Sequence, residues 1–183
     1  MFTRILIILA ISVGIIIPVY SASTVKANPV GVPYETMISF GDGYTSADEL
    51  YDVSITVLEI VRSDKAWQLL HSSSPGAPPS PAGTEYLLAR IKFDYKARGV
   101  PGDTPYLLRE NQFKAVSELG VEYKFADSVT LRPGLNGILY APDSLEGWIV
   151  FMVNNEDQLP LLVFNEEVGN TSHRGSGLWF QLY

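Results

Sequence analysis

The chain has 183 residues, a net charge of −7, no cysteine and two histidines. The missing cysteine rules out a disulfide staple, a lipid-modified cysteine and a thiolate metal site. The negative charge argues against nucleic acid or an anionic lipid surface as a partner, since both would repel it.

Residues 1–27 read as an export segment. Arg4 precedes an uncharged, mostly aliphatic run, Ile5 to Ile17, followed by Pro18 and a small-residue stretch ending Val25-Lys26-Ala27. A charged start, an apolar centre and small residues at −3 and −1 form the layout of a secretory signal. Thirteen helical residues rise about 20 Å, short of the roughly 30 Å hydrocarbon core. The competing reading is an uncleaved anchor that holds the chain to the membrane through residues 5–20, and either way the body lies outside the cytoplasm. Cleavage after Ala27 removes Arg4 and Lys26, taking the charge from −7 to −9. Residues 28–44 follow as an N-terminal extended segment, and 45–183 as the folded domain. Without disulfides, a domain of this length must rely on its core, burying roughly two-thirds of its unfolded surface.

Within that domain the apolar residues fall in short alternating runs, the strand signature. Tyr51–Val61 alternates Val53, Ile55 and Val57 against Ser54 and Thr56. In Glu85–Lys96, Leu87, Ala89, Ile91, Phe93 and Tyr95 point one way, and Arg90, Lys92, Asp94 and Lys96 the other. Further strands are predicted at Gln112–Ser117, Val121–Ala126, Trp148–Val153, Leu161–Phe164 and Leu178–Tyr183. Turn chemistry separates them at Glu118–Gly120, Arg132–Gly134, Asn136-Gly137 and Asn154–Asp157. No segment carries a helical stripe longer than two turns. Residues 71–84, with four prolines, read as an exposed connector, and 97–109 and 163–177 as two further loops. The expected fold is all-β: an antiparallel sandwich of seven or eight strands, with a barrel as second choice.

Several stretches resemble a family of bacterial exported immunoglobulin-like domains, catalogued as domain of unknown function 4352. They are Val53–Leu58, the glycine-led strand Gly83–Phe93, the strand–turn–aromatic run Phe113–Tyr123 and the glycine-led strand Gly147–Val153. Their order and spacing agree across roughly residues 45–165. Where the family often has Asn at the end of the long strand, this chain has Asp94-Tyr95-Lys96. The resemblance implies an immunoglobulin-like sandwich outside the cytoplasm and no particular activity.

No catalytic set emerges. His71 sits in the proline-rich connector and His173 in a Ser/Gly loop, neither at metal-ligand spacing. Gly-x-Ser-x-Gly is absent, and Gly175-Ser176-Gly177 lacks a strand–turn–helix setting. The paired acids Asp48-Glu49, Glu156-Asp157 and Glu166-Glu167 are adjacent and read as solvated rather than as a glycosidase pair. The acidic stretch 42–52, with Asp42, Asp48, Glu49 and Asp52, resembles part of a calcium loop but misses its spacing. No cofactor is expected. Among the aromatics, Trp148 reads as core, its strand burying either Trp148 or Phe151, while Trp67, Trp179 and Tyr183 form a candidate surface for stacking on a sugar or anchoring a protein. The leading expectation is an exported, non-catalytic immunoglobulin-like module binding a protein or glycan. Behind it stand a membrane-tethered structural or stress-linked envelope protein and, remotely, a hydrolase.

Overall fold

A computed structural model describes residues 26–40, 49–99, 103–126, 129, 131–165 and 177–183. The apolar leader, the acidic positions Asp42 and Asp48, and His173 with its loop all lie outside the described residues. Among the described residues, no helix is long and apolar enough to cross a membrane.

Among the described residues there are ten strands and one short α-helix: β1 (Tyr34–Phe40), β2 (Glu49–Arg62), α1 (Ser63–Ser73), β3 (Thr84–Ala97), β4 (Tyr106–Leu108), β5 (Phe113–Val116), β6 (Lys124–Phe125), β7 (Gly137–Leu139), β8 (Asp143–Asn154), β9 (Leu161–Phe164) and β10 (Leu178–Gln181). They form a five-stranded sheet in the order β1-β2-β3-β8-β6, a three-stranded sheet in the order β10-β9-β5, and a β4–β7 ribbon. All the strand pairs are antiparallel.

The two sheets close on one core. Val53, Ile55, Ile91, Phe93, Ile149 and Phe151 from the large sheet meet Phe113, Ala115, Leu162, Phe164 and Phe180 from the small one. The alternation expected on β3 is what the pleat produces: Leu87, Ala89, Ile91, Phe93 and Tyr95 are fully buried on the inner face. Tyr51 and Tyr95 stack with centroids 4.5 Å apart. Their hydroxyls are satisfied at the sheet end, Tyr51 donating to Glu49 at 2.6 Å and Tyr95 to the Thr104 carbonyl at 2.9 Å.

Four expectations need correction. A helix, α1, interrupts what read as strand followed by connector, and His71 belongs to its last turn rather than to the proline-rich loop. Its apolar stripe is only Ala66 and Leu70, one turn apart and both fully buried, too short to stand out in the sequence. Arg62 and Ser63 fasten its start: the Arg62 Nε donates to Glu85 at 2.8 Å and the Ser63 hydroxyl donates to the same carboxylate. Second, β2 carries a bulge between Val57 and Glu59. The extra residue flips the alternation, so that Ile60 packs on the inner core and Val61 on the outer side. Third, Trp148 is not in the sandwich core. Ile149, Phe151 and Val153 take the inner face of β8, leaving Trp148, Val150 and Met152 outside. Fourth, β4 lies in a stretch read as a polar loop and β7 begins at Gly137, read as part of a turn, while β1 is the part of the extended segment 28–44 that pairs with β2.

Gly147 has a specific role. A Cβ there would stand 2.5 Å from the backbone of Gly134. At this point the chain passes β8 closely, the Trp148 N–H donating to the Pro133 carbonyl at 2.8 Å. The passage carries the chain from Leu131, on the outer side, to Leu135 in the inner core.

Candidate functional site

The three aromatic residues singled out from the sequence do not form one surface. Trp67 lies on α1, half-buried, its ring 6.2 Å from Tyr86 at 13° and 5.1 Å from His71. It helps to cover the outer face of the large sheet. Trp179 packs on Val116, Leu161, Val163 and Ala27, on the outer side of the small sheet and so across the sandwich from Trp67. Tyr183 is half-exposed beyond the end of β10.

The outer face of the large sheet is divided. Toward the α1 end, Tyr86, Leu88 and Val150 are buried beneath Ala66, Leu70, Val129 and Leu131. The boundary is Arg90, whose guanidinium lies 6.0 Å from the Trp148 ring and pairs with Glu146. Beyond it the side chains are charged, and the strand register sets them in rows: Met37, Asp52 and Lys96 across one, Glu35, Ser54 and Asp94 across the next. These residues and Arg98 line a cleft of about 430 Å³. Arg98 Nε meets Asp52 at 3.0 Å, its Nη1 meets the Met37 sulfur at 3.4 Å, and Lys92 meets Asp94 at 2.9 Å. Among the described residues, no element packs on this half. The signal for it lay partly in the sequence, since Arg90, Lys92, Asp94 and Lys96 alternate outward. The rows needed the pairing of β1 with β2, which no local pattern discloses.

A second, smaller hollow of about 240 Å³ lies beside Trp148, walled by Phe125, Ala126, Val129, Leu131 and Val150, with Glu110 and Asn111 at its polar side. Burial pushes the Glu110 carboxyl above the usual range, opposed by a 2.6 Å hydrogen bond donated by Asn136. The lining includes neither histidine nor a hydroxyl nucleophile to pair with that acid.

Of the acidic stretch 42–52, the described end is engaged within the fold. Glu49 is held below its ordinary value by hydrogen bonds from Thr104 and Tyr51, and Asp52 pairs with Arg98. Among the described residues, no three His, Asp or Glu side chains converge to hold a metal. Burial raises the Tyr95 and Tyr123 phenols well above the ordinary range, so both stay protonated at neutral pH.

No family model and no curated protein matches the chain. Solved structures do. The yjhA protein of Bacillus subtilis superposes with a TM-score of 0.51 at 12% identity, over 85% of this chain and 99% of that one. The ycdA protein of the same species gives 0.48 at 12% identity over 70% of this chain, which spans only 35% of that protein's length. MPT63, a secreted protein of Mycobacterium tuberculosis, gives 0.43 at 13% identity, over 81% and 92% of the two chains. At such identity the likeness to yjhA is one of fold.

Proposed function

We propose that this chain is an exported, non-catalytic module of immunoglobulin type, akin to the bacterial domain family its sequence resembles, that binds a protein partner through the charged half of its large sheet. The leader layout of residues 1–27 supports export. The observation that carries the binding role is the contrast on one sheet face, where the α1 end is roofed and the cleft lined by Glu35, Asp52, Asp94, Lys96 and Arg98 is open.

A protein suits this surface better than a glycan. A sugar ring stacks on an exposed aromatic face, and the lining of this cleft includes no aromatic residue. Alternating acids and bases instead complement a partner of opposite pattern, which fixes register and speeds encounter. Met37 and the aliphatic stem of Arg98 add the apolar contact that charge alone does not provide.

A photo-cross-linking residue at Ser54, in protein exported by its host, tests the reading. It should yield a discrete adduct that disappears when Lys96→Glu and Arg98→Glu are combined with it. An adduct of equal yield from exposed Gln68 on α1, or one indifferent to the charge reversal, would place binding elsewhere.

A further inference from the structure

The edges of the two sheets are treated unequally. The free side of β10 is occupied by the chain near Asn28, whose N–H donates to Trp179 O at 2.8 Å and whose carbonyl accepts from Gln181 at 2.9 Å. The free side of β5 is met by the Glu122 segment, with Tyr123 N–H donating to Ala115 O at 2.8 Å. The edge strand β6 is two residues long and carries Lys124. Short length, a lysine and a covering segment are the usual defences of a sheet edge. Among the described residues, β1 has none of them. It runs seven residues in continuous register with β2, without a bulge, proline or lysine, and its one charge is Glu35.

The direction of its backbone groups follows from the pairing. Leu50 O accepts from Arg98 N on the β3 side of β2, and Val57 O accepts from Gly31 N on the β1 side. In an antiparallel ladder this alternates strictly, so Tyr51, Val53 and Ile55 face β1 and are met there by Ile38, Thr36 and Tyr34. The N–H and C=O groups of Glu35 and Met37 therefore point away from β2, out across the edge.

We infer that β1 is a dimerisation edge, which pairs antiparallel with β1 of a second copy of this chain about a two-fold axis through Thr36. In that register Glu35 lies opposite Met37 of the second copy, and the reverse pair repeats the arrangement, giving four backbone hydrogen bonds. No like charges face one another, which is the self-complementarity an isologous contact requires. Tyr34 meets Ile38, and Pro33, lacking an N–H, ends the added ladder. The product is one continuous ten-stranded sheet whose two charged clefts lie side by side. This rests on the strand edge and stands whether or not those clefts bind a protein.

Sedimentation equilibrium on the protein purified from an exporting host tests it. The wild type should show twice the chain mass at tens of micromolar, and Met37→Pro should show the single mass. Met37→Pro removes an N–H that β2 does not use, so the monomer should keep its β-sheet circular dichroism. A second variant is independent of the proline's effect on folding. The two copies of Thr36 form a non-hydrogen-bonded pair with Cα atoms about 4.5 Å apart, within disulfide reach. In a chain without native cysteine, Thr36→Cys should give an interchain disulfide on mild oxidation. A wild type of single mass, a folded Met37→Pro that remains dimeric, or a Thr36→Cys variant that stays unlinked would each overturn the assignment.

Discussion

The two halves of the outer face of the large sheet lie on the same strands yet have opposite character. On β3, Leu88 is fully buried four residues from Lys92, and both side chains leave the same side of the pleat. What separates them is covering: α1 and the segment around Leu131 lie over one half, and nothing described lies over the other. The difference teaches that the apolar content of an outer face records whether the chain returns to cover it. The bare, charged half is the part of this face on which the proposed binding role rests.

Substitutions of opposite kind in the two halves should break this contrast or sharpen it. The largest effect is expected from burying charge. Ile91→Asp on the inner face and Leu88→Asp beneath α1 should each cost on the order of 3–5 kcal/mol. Lys96→Ala in the bare half should stay within about 0.5 kcal/mol. Urea titration of the three variants measures this, and a mild Leu88→Asp would mean that α1 is not a true roof.

Gly147→Ala comes next. Its methyl would collide with the Gly134 backbone, where the roofing segment turns inward past β8, and the fixed main chain can yield only by shifting. A loss of roughly 1–3 kcal/mol is expected, read as a lowered Tm, together with altered Trp148 fluorescence.

The smallest effect concerns Glu110, beside the hollow at the edge of the roofed half. Burial raises its folded pKa above the unfolded value, so the folded state holds its proton more firmly. Stability from this group is therefore present at low pH and declines as pH rises through the window between the two values. Glu110→Gln should be slightly more stable than the wild type at pH 7, with the gap closing near pH 4. A gap that widens on acidification would reverse the sign of the argument.

Much of the frame was legible in the residues. The inner stripe of β3 and the four residues of β9 follow from alternation or from a short apolar run between turns. The helix was not legible, because Ala66 and Leu70 make a stripe of one turn that tertiary packing, rather than pattern, turns into structure. The strand reading through Val61 covers nearly all of β2, but the bulge at Val57–Glu59 hid which residues of its second half face inward, since it swaps inner and outer positions without changing composition. In β1 only Ile38 is buried, leaving nothing for periodicity to register. The candidate site was half visible: the outward charges of β3 stood in the sequence, but Glu35 and Asp52 join them only through pairings between distant segments. The separation of Trp67 from Trp179 was not legible either, because it follows from which outer face each packs on: Trp67 sits with Trp148 between roof and large sheet, Trp179 on the small sheet.

The absence of native cysteine offers the most direct test. Leu88→Cys and Lys96→Cys place single thiols on the same side of the same strand, one under the roof and one on the bare half. With the native fold intact, a maleimide should label Lys96→Cys at close to the rate of a free thiol and Leu88→Cys more slowly by orders of magnitude. Equal rates in the folded protein would contradict the division of the sheet face.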